Sequence, residues 1–288
     1  MYKLRTSSSI IGFREKAEKI WKIERYQYPQ DKYQKCVFFG LYHWRDYWHF
    51  IKHKGERFVL WSGGDIHNLK RQYLFSDGNR LWLSKLLSFI KWHRIFYYFP
   101  ATHFVENQDE QDVLTSLGIK SFFAPSFLEN VNDFQIKTKR YDRPQVFISV
   151  HPNREIEYGE GLVRQLANKF QNIDWHIYGK ERPMEVVGNF NNIFWHGRVA
   201  NSQFNEEIAD YHCGFRPNIH DGCSEVMVKS ILNGGYPLTR IKYPMVDNYE
   251  SYDDLILFFS SLKEKIQHKN YQARNYWQNN LNKYPWTS

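Results

Sequence analysis

The sequence predicts an α/β protein made of two Rossmann-like domains with parallel sheets. Short apolar runs alternate with helical stretches along most of the chain, which is typical of parallel α/β sheets. This alternation restarts after a polar, proline-bearing stretch at 130–144, so a domain boundary is expected there. The chain has 288 residues, which is enough for two modest domains.

The amino-acid composition indicates a folded protein and limits the kinds of partner it could bind. The chain is 42% hydrophobic and 18% aromatic, which excludes wholesale disorder. A net charge of +8 favours anionic partners such as nucleotides, phosphorylated acceptors or an anionic membrane surface. The basic residues are spread along the chain without an arginine-rich block, so no nucleic acid is expected.

Cysteine usage and hydropathy predict a cytoplasmic, soluble protein with at most a peripheral membrane contact. The three cysteines, Cys36, Cys213 and Cys223, are odd in number and far apart, which favours a reducing compartment over a disulfide framework. The polar first nine residues have no signal-peptide core, and no apolar run is long and uncharged enough to span a bilayer.

The first strands of the N-terminal half follow from apolar runs. Residues 13–28 suit a helix, and 36–41 suit a buried strand, expected to be the first of the sheet. A second strand at 58–61 ends in Ser62-Gly63-Gly64-Asp65. This turn either approaches a ligand closely or is a plain strand-to-helix turn with Asp65 as its cap.

The remainder of this half alternates further. We expect an amphipathic helix at 81–92, a strand at 94–99 stopped by a proline, and another strand from 104. Asn107 is the expected N-cap of a helix at 109–117, and Gly118 its C′ residue. A strand at 119–124 follows.

The C-terminal half begins again with a buried strand. Strands are expected at 146–150, 175–178, 193–195, 213–215 and 236–239, with helices ending near 170 and starting near 201. Ser224 is the expected N-cap of a helix that ends at Gly234-Gly235. Two more helices, at 252–265 and 271–283, complete the chain.

One loop of this half suits an anionic ligand. Residues 218–222 follow a strand, and Ser224 opens the next helix, so the loop lies at the carboxyl end of the sheet. Open α/β sheets bind ligands at that edge, where the N–H groups of a helix N-terminus favour phosphate.

The same stretch resembles the donor-binding half of group 1 (family 4-like) glycosyltransferases, which have the GT-B fold. The resemblance rests on Gly197-Arg198-Val199, on Pro217, on Asp221-Gly222, and on a helix that ends in glycine and proline. The family has two glutamates separated by seven residues, where this chain has Asp221 and Lys229. Lysine reverses the charge of the second glutamate, and its spacing from Glu225 predicts an i,i+4 pair.

The resemblance implies roles for individual residues. It implies a cleft between the two sheets, with acceptor-side groups in the first domain and the donor in the second. The implied catalytic residues are Asp221, Asp65 and His103. The implied donor-binding residues are Arg154, Arg198, Gly197, Tyr178, Gly222, Cys223, Ser224, Glu225 and Lys229. No metal ligand set or cofactor is expected, because positive side chains and a helix N-terminus suit the leaving diphosphate.

The expected domains are 1–135 for the acceptor side, 145–265 for the nucleotide sugar, and a helix at 266–288 that crosses back to the first domain. The implied function is metal-independent, retaining transfer of a sugar from a nucleotide sugar to a glycan, glycolipid or glycoprotein, in glycan biosynthesis. Two alternatives stay open: a non-catalytic sugar-nucleotide or glycan-binding module, and a nucleotide-sugar epimerase.

Overall fold

The computed structural model describes residues 1–71, 86–137, 141–151, 158–181 and 190–287. These residues form two compact units. Unit 1 comprises Met1–Asn130, His220–Cys223 and Asn280–Ser288, and unit 2 comprises Val131–Ile219 and Ser224–Asn279. The short loop at 220–223 therefore belongs to a different unit from the residues on either side of it.

Unit 1 contains a six-stranded parallel sheet. Its strands are β1 (Tyr2–Thr6), β2 (Glu24–Arg25), β3 (Lys35–Phe39), β4 (Arg57–Leu60), β5 (Thr102–Val105) and β6 (Ser121–Phe123). They pair in the order β2-β1-β3-β4-β5-β6. Its helices are α1 (Arg14–Trp21), α2 (Trp44–Lys52), α3 (Gly64–Arg71), α4 (Ile95–Tyr98) and α5 (Gln108–Ser116). Short 3-10 turns lie at Ser8–Phe13 and Trp92–Arg94.

Both faces of this sheet are covered, as expected for parallel strands. Along β3, Cys36 and Phe38 enter the core beneath α2, α3 and α5, while Val37 and Phe39 enter the core on the opposite face. The C-terminal residues of the chain complete that second core with stacked Tyr284 and Trp286 rings.

Unit 2 contains a second six-stranded parallel sheet. Its strands are β7 (Gln145–Ser149), β8 (Asp174–Tyr178), β9 (Ile193–Gly197), β10 (Cys213–Arg216), β11 (Leu238–Thr239) and β12 (Asp247–Asn248). They pair in the order β12-β11-β10-β7-β8-β9. Its helices are α6 (Glu160–Lys169), α7 (Asn201–Ile208), α8 (Glu225–Leu232), α9 (Tyr252–Lys265) and α10 (Tyr271–Asn280), and a 3-10 turn lies at Val131–Asp133.

The helices of unit 2 lie on both faces of its sheet. Val163 of α6 and Phe259 of α9 pack on one face, whereas Ile208 of α7 and Val226 of α8 pack on the other. The order of the strands reverses direction between β7 and β10. This is the topological switch point, where doubly wound sheets form their ligand crevice.

The predicted α/β class with parallel sheets is confirmed, and several caps are confirmed with it. The Asn107 side chain accepts a hydrogen bond from the Glu110 amide, and the Ser224 side chain accepts one from the Met227 amide at 3.4 Å. The helix expected at 252–265 has those limits. Glu225 and Lys229 form the predicted i,i+4 pair at 3.8 Å.

Three predictions of local structure were wrong. Residues 94–99 are not a strand, because β4 pairs directly with β5 and Phe96 is the buried anchor of the short helix α4. The first strand is β1 rather than 36–41; it was missed because its one fully buried side chain is Leu4. The helix expected over 13–28 ends at Trp21, where Lys22 adopts a left-handed conformation.

The helix predicted at 81–92 lies partly outside the described residues. Arg154 lies wholly outside them. Among the helices that the structure describes, none combines the length and the apolar character needed to cross a bilayer.

Candidate functional site

Unit 2 has a cavity of about 740 Å³ at the carboxyl edge of its sheet. The residues that line it come from the loops and helix starts that follow β7, β8, β10, β11 and β12. They include Gly159, Glu160, Arg164, Lys180, Pro217, Arg240, Glu250 and Ser251. The cavity thus lies at the switch point between β7 and β10, where this kind of sheet binds ligands.

Gly159 brings two loops of the switch point into contact. It caps the N-terminus of α6 in a left-handed conformation, with φ of +71°. A Cβ atom there would lie 2.5 Å from Cγ of Pro217, the residue that follows β10. Glycine is needed at this position for both its backbone conformation and the close approach of proline.

Glu160 organises the cations of the cavity. Its side chain is buried and pairs with the guanidinium of Arg164 and, at 2.8 Å, with the ammonium of Lys180. Arg240 adds a further positive charge to the lining, while Glu250 pairs with Lys242 at 2.9 Å. Cations held at a helix start and a strand end form a suitable environment for a phosphate group.

The glycine that ends β9 and the arginine that follows it lie at the same edge of the sheet. Gly197 has φ of +66°, and a Cβ atom there would lie 2.0 Å from Oε1 of Glu181. Arg198 is exposed. The turn therefore requires glycine and presents Arg198 to solvent at the carboxyl end of the strand.

Tyr178 occupies the interior of unit 2. Its hydroxyl donates to Oε2 of Glu207 at 2.7 Å, and its ring stacks on His196 at 4.3 Å. The ring is 2% exposed. These contacts place the Tyr178 ring among packing residues rather than at the surface of the cavity.

Lys229 is a fully buried cation on α8. Its ammonium donates to Oδ1 of Asn201 at 2.9 Å and lies 5.0 Å from the centre of the Phe204 ring. Asn201 is the first residue of α7, which follows the turn at Gly197 and Arg198. Lys229 therefore links α8 to the loop that carries Arg198. Glu225 remains 42% exposed at its side chain and Ser224 is buried as the helix cap.

Unit 1 holds the loop at 220–223 by its backbone. Nδ2 of Asn107 donates to the carbonyl oxygens of Asp221 and Gly222 at 3.0 and 3.3 Å. The Cys223 amide donates to Oε2 of Glu106 at 2.9 Å. A Cβ atom on Gly63 would lie 2.7 Å from the Asp221 carbonyl carbon, so the turn after β4 lies directly against the loop.

Asp65 maintains the turn after β4. It is fully buried, and its carboxylate accepts hydrogen bonds from the amides of Leu41, Ser62 and Ile66 at 2.9 to 3.0 Å. Burial raises the pKa of Asp65 to about 6, although these bonds oppose the shift. The Asp65 carboxylate thus holds the backbone of the Ser62–Gly63 turn by accepting amide hydrogen bonds.

His103 lies beneath the same edge. Its Nδ1 accepts a hydrogen bond from Nε1 of Trp61 at 3.2 Å, and its side chain packs against Phe96. Burial lowers the pKa of His103 to about 4, so it is neutral at pH 7.

Sequence reasoning missed Glu106 and the contact between His67 and His220, the first residue of the loop. Glu106 also accepts bonds from the amide and hydroxyl of Ser126, and burial raises its pKa to about 7. The rings of His67 and His220 lie 3.7 Å apart. The available signal was a carboxylate directly after a buried strand, since β5 ends at Val105 and ligands bind at the carboxyl edge of such a sheet.

The structure thus brings together two groups of predicted residues. Asp221, Gly222 and Cys223 lie with the Ser62–Asp65 turn in unit 1, whereas Gly197, Arg198, Ser224, Glu225 and Lys229 lie in unit 2. Within the described parts of the chain, no three His, Cys, Asp or Glu side chains are grouped so as to hold a metal ion.

Comparison with known proteins gives a likeness in structure alone. No protein-family model matches the sequence, and no curated protein matches it. TarM has a TM-score of 0.56 at 12% identity, over 84% of this chain and 50% of TarM. HepE from Anabaena, solved with UDP-glucose, has a TM-score of 0.56 at 12% identity, over 85% of this chain and 73% of HepE.

Sucrose-phosphate synthase from Thermosynechococcus elongatus gives a TM-score of 0.55 at 12% identity, over 84% of this chain and 66% of the synthase. The chain spans about half the length of TarM. A mutant of S. aureus TarM was solved in complex with UDP. Two six-stranded parallel sheets and these neighbours together show that the chain has the GT-B fold of glycosyltransferases.

Proposed function

We propose that this chain transfers a sugar from a nucleotide sugar to a glycan or glycoconjugate acceptor. The observation that carries the proposal is the cation-lined cavity at the switch point of the unit 2 sheet. The structural neighbours support it, because HepE was solved with UDP-glucose and GtfA with UDP and GlcNAc.

The cations of unit 2 have a defined task in this reaction. Transfer breaks the bond between the anomeric carbon and the diphosphate, so negative charge grows on the leaving oxygen. Lys180 and Arg240 line the cavity, and Arg198 follows β9 at the same edge. We assign these three side chains, with Arg154, to the diphosphate, and we propose that no metal ion is required. Preorganised positive groups of this kind stabilise such transition states.

The loop at 220–223 positions a carboxylate for the sugar. We assign Asp221 to the hydroxyl groups or to the positive charge that develops on the sugar ring. Asn107 and Glu106 hold the backbone of this loop, which limits the positions open to the Asp221 side chain. A carboxylate fixed in this way loses little entropy when the transition state forms.

The acceptor is assigned to unit 1. We propose that Asp65 and His103 support the acceptor side indirectly, because their side chains bond to the Ser62 amide and to Trp61. His67 is neutral at pH 7, since burial lowers its pKa to about 4, and it lies beside the loop. It is therefore our candidate for a direct hydrogen bond to the acceptor hydroxyl.

The reaction balances without a further co-reactant. The acceptor hydroxyl oxygen bonds to the anomeric carbon, the nucleoside diphosphate departs, and the departing phosphate takes up the hydroxyl proton. We propose retention of configuration, as the resemblance in sequence implies.

Thermal-shift measurements test donor binding first. The protein is screened against UDP, GDP, CDP and ADP, and stabilisation of about 2.7 kcal/mol is expected for a true ligand at 100 times its Kd. UDP is the first choice because HepE and TarM were solved with it. Lys180→Met should remove the shift, whereas Lys265→Met, which breaks another ion pair of unit 2, should keep it.

Transfer is then assayed as release of the nucleoside diphosphate, with glycan and glycolipid acceptors, with and without EDTA. Acceptor-dependent release that persists in EDTA is the expected result. Loss of turnover in EDTA would refute metal independence.

A non-catalytic donor-binding module is the second candidate. The buried Lys229 favours it, because the resemblance implies a glutamate there and a lysine cannot replace that side chain as a hydrogen-bond acceptor. This candidate predicts a thermal shift with no release of diphosphate under any acceptor. Turnover with one donor and one acceptor would exclude it.

A further inference from the structure

Unit 1 exposes several large apolar side chains within a short stretch of sequence. The exposed fractions are 58% for Leu86, 84% for Phe89, 45% for Ile90, 67% for Tyr97 and 80% for Tyr98. We call these five residues, with Lys91 and Arg94, the aromatic-basic surface. Exposed apolar groups at this density mark an interaction site in a water-soluble domain.

Two buried aromatic residues fix this stretch to unit 1. Nε1 of Trp92 donates to the Leu87 carbonyl at 3.0 Å, and the Trp92 ring packs on Tyr47. Phe96 packs against the rings of Phe50 and Trp61 at 5.3 and 5.9 Å. Trp92 and Phe96 are buried in the core, and Leu87, Ile95 and Phe99 pack against it, so the backbone that carries the exposed side chains is anchored to unit 1.

The charged residues within this stretch of sequence are of one sign. Residues 86–105 contain no Asp or Glu, although the chain as a whole has 31 acidic residues. Lys91 and Arg94 are exposed beside the aromatic residues. Burial lowers the pKa of His93, and the charges of its neighbours Arg94 and Lys91 lower it further.

Another exposed aromatic residue with an adjacent cation, Phe122 with Lys120, follows the end of α5 that Tyr97 contacts. The position of a Cβ on Gly118 would be 3.0 Å from the Tyr97 hydroxyl, so Tyr97 lies against the end of α5. Two residues further on, the Lys120 ammonium lies 5.5 Å from the centre of the Phe122 ring, and Phe122 is 48% exposed. The pattern of aromatic rings with adjacent cations therefore continues onto the edge strand β6.

We propose that the aromatic-basic surface docks unit 1 on an anionic lipid bilayer. Tyrosine and phenylalanine insert at the level of the headgroups, while lysine and arginine reach the lipid phosphates. The core of a protein-protein interface is depleted of charge, whereas here cations alternate with the apolar side chains. Acidic groups, which an anionic surface would repel, are absent from residues 86–105.

Co-sedimentation of the full chain with vesicles tests the proposal. Wild-type protein should sediment with vesicles of phosphatidylcholine and 30% phosphatidylglycerol, should sediment far less with pure phosphatidylcholine, and should be released by salt. Phe89→Ser with Tyr98→Ser should lower the partition coefficient by about tenfold or more. Lys91→Gln and Arg94→Gln should lower it by about fivefold each.

A matched control uses large side chains elsewhere that are also mostly exposed. Tyr33→Ser with Leu257→Ser removes residues that are 70% and 73% exposed, and it should leave vesicle binding unchanged. All variants should melt like wild type, because the changed side chains lie on the surface. Failure of wild type to bind anionic vesicles, equal binding to neutral vesicles, or binding that survives the Phe89 and Tyr98 changes would each overturn the proposal.

Discussion

Glu106 accepts a hydrogen bond from the amide of Cys223, 117 residues further along the chain, at 2.9 Å. This bond and the two bonds from Asn107 make the 220–223 loop a part of unit 1, although the chain on both sides of it belongs to unit 2. The 220–223 loop thus depends on unit 1 for its conformation.

Gly222→Ala should destabilise unit 1 by about 1 to 3 kcal/mol, as overpacking does. A Cβ at this position would lie 2.1 Å from Oε2 of Glu106, which is held by the Cys223 amide. Gly12→Ala is the control, because no atom lies within 4 Å of its Cβ position, and its effect should stay within about 0.5 kcal/mol. Urea denaturation measures both; equal effects would contradict the close contact.

Glu106→Gln should flatten the pH dependence of stability. The folded-state pKa of Glu106 is raised to about 7 by burial, from an ordinary value of 4.5. Its stabilising contribution is present below pH 4.5 and is lost as pH rises to 7. The free energy of unfolding of wild type should therefore fall, relative to the variant, by up to roughly 3 kcal/mol over this interval. Parallel curves for the two proteins would contradict the shift.

His103→Gln should protect the protein against acid. Burial lowers the pKa of His103 from 6.5 to about 4, so its contribution is present above pH 6.5 and is lost as pH falls to 4. Over this range wild type should lose roughly 3 kcal/mol relative to the variant. The glutamine oxygen can accept the bond from Trp61, so the packing is kept. Melting curves from pH 4 to 7 test this, and a constant difference would refute it.

Lys229→Met should cost about 1.5 to 3 kcal/mol, because Asn201 loses a charged hydrogen bond inside the protein. Lys265→Met removes an ion pair whose two side chains are 31% and 41% exposed, so its cost should stay below about 1 kcal/mol. If Lys229 positions the Arg198 loop, the Lys229 variant should also raise the Kd for the donor. If the variant is less stable but binds the donor with an unchanged Kd, Lys229 contributes to the packing of unit 2 and not to donor binding.

Asp221→Ala and Arg198→Ala should each lower kcat/KM for transfer by about 10²-fold or more while the melting temperature stays near that of wild type. Arg143→Ala is the control in unit 2, because Arg143 forms an exposed pair with Asp174 at 3.5 Å. Turnover equal to wild type in either variant would remove that residue from the proposed site.

Local patterns in the sequence were sufficient for the α/β class, the parallel sheets, the caps at Asn107 and Ser224, and the Glu225–Lys229 pair. These features depend on contacts between near neighbours or on apolar runs long enough to be buried on both faces. Only the tertiary structure showed that residues 95–98 form a helix, that 220–223 joins unit 1, and that Glu106 and Asn107 hold that loop. Each of these features depends on which residues, far apart in the sequence, are buried against one another. The spacing of residues along the chain does not specify those contacts.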